Sequence, residues 1–539
     1  MVRRWRHVFL LLMGVLLCTT LANAQEKADD VEQPLGNAQE KTDSEQRRIR
    51  EVRIDIGPIY SDEEAKESSW ARFANRWHIE TRESVIRNEI LFKEGDLLDE
   101  ELLKQSERKL RRFQFLNKTD VVVVPVDEQT VDVEVNTKDA WSLVPGFNIK
   151  GGGDLYTVSA DLTEVNLLGH GKKLYAQANY ETDVGNTWKF SYQDKQLFNS
   201  RWRGNATYKT GPLIESFYVS AKRPLYSIDT KWAYGLSAYT ADQTIRLFEE
   251  GEESSRFTKE QTYFNGNLKR SFGPRYQKTT VKLGLKYLKA DYSPLGSETT
   301  TPPPPDQANL TPSVQVTKEN VKWVKNTYIN KMGPTEDDWL GVRYGGLLGY
   351  GIPVENGFEL WDVRANVTKN IGMTHQQFLY MHAQVDSEVV RNTTVYLNAR
   401  YYKKFARHTV ATRFLTKLGY KLDSSRQFTL GADSGLRGYP ARQFTGEKMV
   451  LLNLEDRQFW GDIMIGPKLD IGTVVFVDAG NVWKDEEEID VDDLNWSAGF
   501  GFRIGFSNLP HQPIFRLDFG WALGDADSFA VTVGTEQQF

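Results

Sequence analysis

Three residues in the C-terminal third of the chain have the types and spacing of a buried ionic anchor. Arg437 stands in Gly435-Leu436-Arg437-Gly438-Tyr439, between two strand-like segments. Glu455 follows in Asn453-Leu454-Glu455-Asp456-Arg457, and Asp478 in Phe476-Val477-Asp478-Ala479-Gly480. The glycines let a loop fold tightly and approach other backbone closely. Side chains on a strand alternate between faces. On the segment Lys448–Trp460, Asn453, Glu455 and Arg457 share one face, opposite Val450, Leu452, Leu454 and Trp460. On Ile471–Gly480, Asp478 and Gly480 lie opposite Val475 and Val477. The chemistry on offer is ion pairing between a loop arginine and two acids on the polar faces of the next two strands.

These motifs resemble those of the BamA/TamA-type outer-membrane assembly and two-partner-secretion transporter superfamily. In that family an R-G-[FY] loop folds back into a β-barrel, and its arginine meets the aspartate of an F-x-D-x-G strand. The resemblance implies a loop–lumen anchor formed by Arg437, Gly438, Tyr439, Glu455, Asp478 and Gly480. The family's double glycine upstream of the loop reads Gly431-Ala432 here.

The start of the chain has the pattern of an export signal. Arg3, Arg4 and Arg6 precede the apolar run Val8–Leu17, and Ala22-Asn23-Ala24 supplies an A-x-A cleavage site. The run is too short to span a bilayer. Cleavage after Ala24 removes Cys18, the only cysteine, leaving no disulfide, thiol nucleophile or thiolate metal site. A chain with 40% hydrophobic residues and a mean hydropathy of −0.51 reads as soluble. A transmembrane β-barrel reads the same way, because only alternate residues face lipid. Near the C-terminus Phe529, Val531 and Val533 alternate with Ala530, Thr532 and Gly534 before Phe539. Such a last strand resembles the recognition signal of bacterial outer-membrane barrels, with Thr532, Gly534 and Phe539 as its marks.

Four segments follow: a signal peptide (1–24), a disordered leader (25–48), a small α+β domain (49–139) and a β-barrel (141–539). The leader is polar and nearly free of aromatics. In the α+β segment, Val52, Ile54 and Ile56 alternate as in a half-buried strand, and Gly57–Glu80 reads as a polar insertion. Thr81–Leu91 and Asp99–Phe113 have helical spacing, with Asp99 as N-cap, and Val121–Val126 and Val131–Val135 form a hairpin. The order strand, helix, helix, strand, strand resembles one POTRA (polypeptide-transport-associated) domain. Beyond Trp141, strand-like runs recur with Gly, Asn, Asp and Pro at the turns. Phe500, Phe502, Ile504 and Phe506 alternate with Gly499, Gly501, Arg503 and Gly505; Phe515, Leu517, Phe519 and Trp521 alternate with Arg516, Asp518 and Gly520. The expected fold is a transmembrane antiparallel β-barrel of about sixteen strands by resemblance, or up to about twenty by segment count, with sixteen favoured. Thr299–Pro312, with its four consecutive prolines, and the acidic Lys484–Asp493 are expected as loops on the side away from the POTRA-like domain.

No enzyme signature is present. The seven histidines form no zinc motif, and there is no Gly-x-Ser-x-Gly elbow or Walker loop. No catalytic, cofactor or metal site is assigned, and the Lys484–Asp493 acids read as a solvated loop rather than a cation site. The resemblance implies assembly, insertion or translocation of proteins at a Gram-negative outer membrane, with the POTRA-like domain in the periplasm. The expected partners are unfolded outer-membrane or secreted clients bound by β-augmentation, together with outer-membrane lipids; accessory periplasmic proteins are compatible and nucleic acid is not expected. The alternatives are a dedicated secretion or diffusion pore, and lipid or lipopolysaccharide export.

Overall fold

The computed structural model describes residues 47–67, 69–152, 155–249, 251–295, 301–326, 329–330, 332, 336–355, 357–374, 376–388, 391–464, 468–505, 514–524, 528–534 and 536–539. The expected signal peptide and nearly all of the expected leader lie outside these residues.

The α+β module runs β1 (Arg48–Gly57), α1 (Asp62–Glu67), α2 (Ser69–Trp77), α3 (Glu83–Arg87), α4 (Glu100–Leu110), β2 (Leu116–Pro125) and β3 (Thr130–Asp139), with sheet order β1-β3-β2. The last strand in sequence is the central one, and its Val131, Val133 and Val135 are all fully buried. Asp99 caps α4 as its position requires, accepting the Glu101 N–H at 3.0 Å. The expected polar insertion Gly57–Glu80 is corrected, since it contains α1 and α2. The buried contacts of α2 are Ala71 and Ala74, three apart and only 1% exposed. Methyl groups at helical spacing form a face that leucine-seeking periodicity does not see.

The chain divides into two compact units. Among the described residues, one holds 47–53 with Phe92–Glu101 and Val122–Glu134; the other holds those of 54–91, 102–121 and 135–539. The division therefore runs through the α+β module. Within the larger unit the Val85 and Ile90 carbonyls accept from Gln196 and Arg201, each at 2.8 Å.

Twenty antiparallel strands, from Leu143–Gly152 to Phe529–Gly534, close a barrel. The favoured count of sixteen is thus corrected to the number given by the alternating segments. No pair of runs is one bent strand, and each alternation is a separate crossing. Five consecutive strands, from Trp232–Glu249 to Glu336–Pro353, have 18 to 21 residues. That exceeds the ~9–11 a tilted strand needs to span a bilayer. Phe500, Phe502 and Trp521 are 44–47% exposed on the outer face, whereas Gly501, Arg503 and Asp518 are buried on the inner one. Apolar residues face out and polar ones face in, as in lipid-embedded barrels. Among the described residues no helix is long and apolar enough to cross a membrane.

Strand parity puts the described residues 301–306 and the loop 484–494 at the end opposite to the chain's entry, together with the long loop 421–447. The proline loop is shorter than expected, because Pro312 lies within the strand Gln307–Asn326, opposite Leu285. The last strand is shorter too. It stops at Gly534, and Phe539 is not part of it.

Candidate functional site in the barrel lumen

The loop 421–447 contains its own two-stranded ribbon, Phe428–Leu430 against Phe444–Gly446, which projects the intervening turn inward. Leu430, Leu436 and Tyr439 from the loop pack with Leu415, Met449, Leu451 and Val482 of the barrel wall. The Tyr439 hydroxyl donates to the Trp496 carbonyl at 3.0 Å. Gly438 has φ +97°, and a Cβ there would lie 2.9 Å from the Trp521 backbone. From the other side, a Cβ on Gly520 would meet the Gly438 nitrogen at 2.7 Å. Two glycines thus let the loop backbone lie directly against a barrel strand.

This seat delivers Arg437 into a closed ionic cluster. Its Nε and Nη2 donate to the two Asp478 oxygens at 2.8 and 2.9 Å, a bidentate geometry. Nη1 donates to Glu455 at 2.7 Å and to Asp518 at 3.1 Å. The guanidinium carbon sits 3.5 Å from the centre of the Phe476 ring. Asn453 joins loop to wall, donating to the Gly435 carbonyl at 2.8 Å and to Asp478 at 2.7 Å. Glu455 also accepts from Arg457 at 2.8 Å, and Asp518 pairs with Arg503. Arg437, Glu455, Asp478 and Asp518 have no exposed surface. Each carboxylate is held by at least one arginine, so none is available as a general base. The arrangement can hold a loop.

The residues Arg437, Glu455 and Asp478, read from the sequence as one group, are therefore in direct contact. Gly438 and Tyr439 seat the loop, and Gly480 lies under it, where a Cβ would meet the Val450 carbonyl at 2.8 Å. Ala432, in place of the family's second glycine, is buried inside the turn and fits. The sequence reading did not assign Asp518, Asn453, Arg457 or Arg503 to the cluster. Their signal was present, since Arg503 and Asp518 already stood on the glycine-rich faces of their strands.

The residues read as a C-terminal barrel signal separate. Thr532 and Gly534 lie on the last strand, opposite Asp518 and Arg516. Phe539 instead turns into the lumen, where its carbonyl accepts from Arg457 at 3.1 Å and its ring lies 4.9 Å from that guanidinium. Gln537 accepts from Arg503 at 3.1 Å. The expectation of one strand through Phe529–Phe539 is corrected, because polar partners inside the barrel draw the tail off the ladder. Among the described residues no three His, Cys, Asp or Glu side chains converge as a metal site. His375 lies outside the described residues.

A closed barrel with an outward apolar face, entered through a POTRA-type module and braced by an arginine loop, defines a class: outer-membrane barrel proteins with a periplasmic domain. Residues 166–537 match the Omp85 superfamily domain, and residues 75–138 match the surface antigen variable number repeat, a POTRA module. The chain belongs to the Omp85 superfamily and carries one POTRA module. Its barrel lies in the Gram-negative outer membrane, with the POTRA module in the periplasm. Members of this family insert or translocate proteins and work without enzymatic chemistry.

Among solved structures, BamA from Haemophilus ducreyi lacking POTRA domains 1–3 is 15% identical, covering 91% of this chain and 85% of that one, with a TM-score of 0.41. CdiB from Acinetobacter baumannii is 12% identical, covering 91% and 74%, with a TM-score of 0.47. CdiB from Escherichia coli is 12% identical, covering 91% and 77%, with a TM-score of 0.45. No curated protein matches the sequence.

Proposed function

We propose that this protein is a non-enzymatic insertase that passes client β-strands into the outer membrane through the seam of its barrel. One observation carries the reading. The closing strand Phe529–Gly534 has six residues, whereas its neighbour across the seam, Leu143–Gly152, has ten. Among the described residues, the closing strand therefore offers partners for at most six of the first strand's ten positions on that side. On its other side the first strand pairs through all ten positions with Leu155–Glu164. Unpaired backbone groups in hydrocarbon are costly, so the edge is primed to accept an incoming strand. Client folding supplies the drive, and the unsatisfied edge supplies the template.

The loop anchored through Arg437, Gly438, Tyr439, Glu455, Asp478 and Gly480 supports this reading over a diffusion pore. It occupies the lumen beside the strands nearest the seam and stiffens that wall while the seam itself stays weak. The protein's partners in this reading are unfolded outer-membrane clients, presented by the periplasmic module. Residues 49–139 act as that module and 141–539 as the machine.

The test is a disulfide introduced between Leu143–Gly152 and Phe529–Gly534 in protein reconstituted into liposomes. Oxidation should abolish protease-protected insertion of an unfolded barrel client, and reduction should restore it. Insertion or export that continues with the seam locked would exclude this route and favour passage through the lumen.

A further inference from the structure

At the end of the barrel where the chain enters, positive charge gathers around a single buried acid. Glu89 is 5% exposed. Lys109 Nζ lies 3.4 Å from its carboxylate, Arg203 Nη2 3.8 Å and Arg201 Nη1 3.9 Å. Three cations thus share one carboxylate. Arg201 Nη1 has no hydrogen-bond partner although it is buried. A fourth cation adjoins them through Tyr226, whose ring carries Arg201 at 4.9 Å, Arg223 at 5.2 Å and Lys109 at 5.9 Å. Among the described residues Arg223 has no carboxylate partner. Burial, the largest influence, lowers the Lys109 ammonium to about 8 despite Glu89 beside it, and lowers the Arg201 guanidinium as well. The group is short of negative charge.

Its position says what could supply that charge. Arg223 stands opposite Tyr234 in the ladder, on the outward face of the barrel. Tyr234 is 39% exposed and stacks on Trp202, with ring centres 6.4 Å apart; Trp232, 36% exposed, carries Arg270 at 5.0 Å. Exposed Trp and Tyr mark the headgroup level of a membrane barrel. The positive excess therefore begins on the lipid-facing wall at headgroup depth and continues round the rim to Glu89. We propose that Arg201, Arg203, Arg223 and Tyr226 form a binding site for the phosphate of an anionic phospholipid in the periplasmic leaflet. Arg223 grips the phosphate oxygens, with Arg201 and Arg203 behind it supplying further positive charge, and the acyl chains lie along the apolar outer wall. Arginine suits this role because its planar fork presents paired donors to phosphate. A lipid held here would neutralise the charge that Glu89 alone leaves uncompensated, and would tie this rim to the bilayer while the seam moves.

The experiment is native mass spectrometry of the full chain in detergent, offered phosphatidylglycerol, phosphatidylethanolamine or inorganic phosphate. Phosphatidylglycerol should be retained at least about tenfold more than phosphatidylethanolamine, the effect of one charge-assisted contact. Arg223→Gln should remove most of that preference with heat-modifiable mobility unchanged, and Arg201→Gln with Arg203→Gln should remove the rest. Glu89→Gln gives the sharper reading. A purely structural clamp would loosen, whereas an anion site relieved of its competing carboxylate should retain more phosphatidylglycerol. Equal retention of the two lipids, retention unaffected by Arg223→Gln, or weaker retention in Glu89→Gln would each overturn the site. Retention of inorganic phosphate without lipid would overturn the lipid assignment.

Discussion

Replacing Arg437 with alanine tests the lumen anchor most directly, and the structure sets the size of the effect. The substitution leaves Glu455 with Arg457 at 2.8 Å and Asp518 with Arg503. Asp478 keeps the Asn453 amide, at 2.7 Å, and the backbone N–H of residue 437, at 3.3 Å, but becomes the one carboxylate without a cation. Breaking a buried pair costs ~3–5 kcal/mol. With two of the three acids still neutralised, the lower end applies, about 3 kcal/mol, or roughly a hundredfold shift toward the undocked loop. The loop's Ala441 is 6% exposed and small enough to become cysteine without strain. The chain's one cysteine, Cys18, falls in the expected signal segment, so the new thiol reports alone. In Ala441→Cys protein, a membrane-impermeant maleimide should react about a hundredfold faster once Arg437→Ala is added, with heat-modifiable mobility retained. Asp478→Ala should accelerate labelling similarly, and the double variant should be little worse than either single, a coupling of about 2–3 kcal/mol. Additive effects, or labelling unchanged by Arg437→Ala, would refute the claim that these residues act as one anchor.

Four further outcomes follow from the same geometry. The unboiled protein should migrate apart from its boiled form in detergent gels, and equal mobility would contradict a closed barrel. Phe500→Arg, on the lipid face halfway along the strand Asn495–Gly505, should lower unfolding stability in bilayers by about 2–4 kcal/mol, measured by denaturant titration. Arg442→Ala removes partly exposed pairs to Glu181 at 2.9 Å and Asp183 at 3.2 Å, so it should cost only about 0–1 kcal/mol in the same thiol-labelling assay. The Lys109 ammonium, pushed down to about 8 from 10.5, binds fewer protons folded than unfolded between those values. Stability should therefore rise with pH from about 8 to 10.5, and in Lys109→Gln protein thermal melts should show a shallower slope over that window.

What could be read from the sequence was the face of each residue; what could not was its height. Alternation in Phe500–Ile504 and Phe515–Trp521 assigns lipid and lumen sides directly, because the strand period is two. It also put Arg503 and Asp518 inside. Whether they meet Arg437 depends on strand tilt and stagger, which belong to the barrel as a whole and to no single segment. Arg437 and Asp478 could be paired from sequence only because their motifs carried the family's spacing. Local reading failed elsewhere for specific reasons. Helix α2 packs through Ala71 and Ala74, and Gln537 and Phe539 leave the ladder for partners more than thirty residues away in sequence. The strand count had the opposite history: the segments pointed to twenty and the family analogy favoured sixteen.

That difference bears on how the lumen is closed. Barrel diameter grows roughly linearly with strand number, so twenty strands leave a lumen about a quarter wider than sixteen would. A loop fixed only by Arg437 would fasten to one wall and leave the far side open. The loop 421–447 reaches that side with a second arginine. Arg442 pairs with Glu181 and Asp183 in and beside the turn that follows Lys172–Glu181, and lies 4.4 Å from the Phe248 ring. Gln427 exchanges hydrogen bonds with the Phe248 backbone at 3.1 and 3.2 Å. Buried charge therefore secures the loop near the C-terminal strands, and partly exposed charge secures it to the N-terminal ones. The strands on the two sides of the seam are thus joined unequally through one loop, and the weaker hold is on the side of the longer seam strand, Leu143–Gly152.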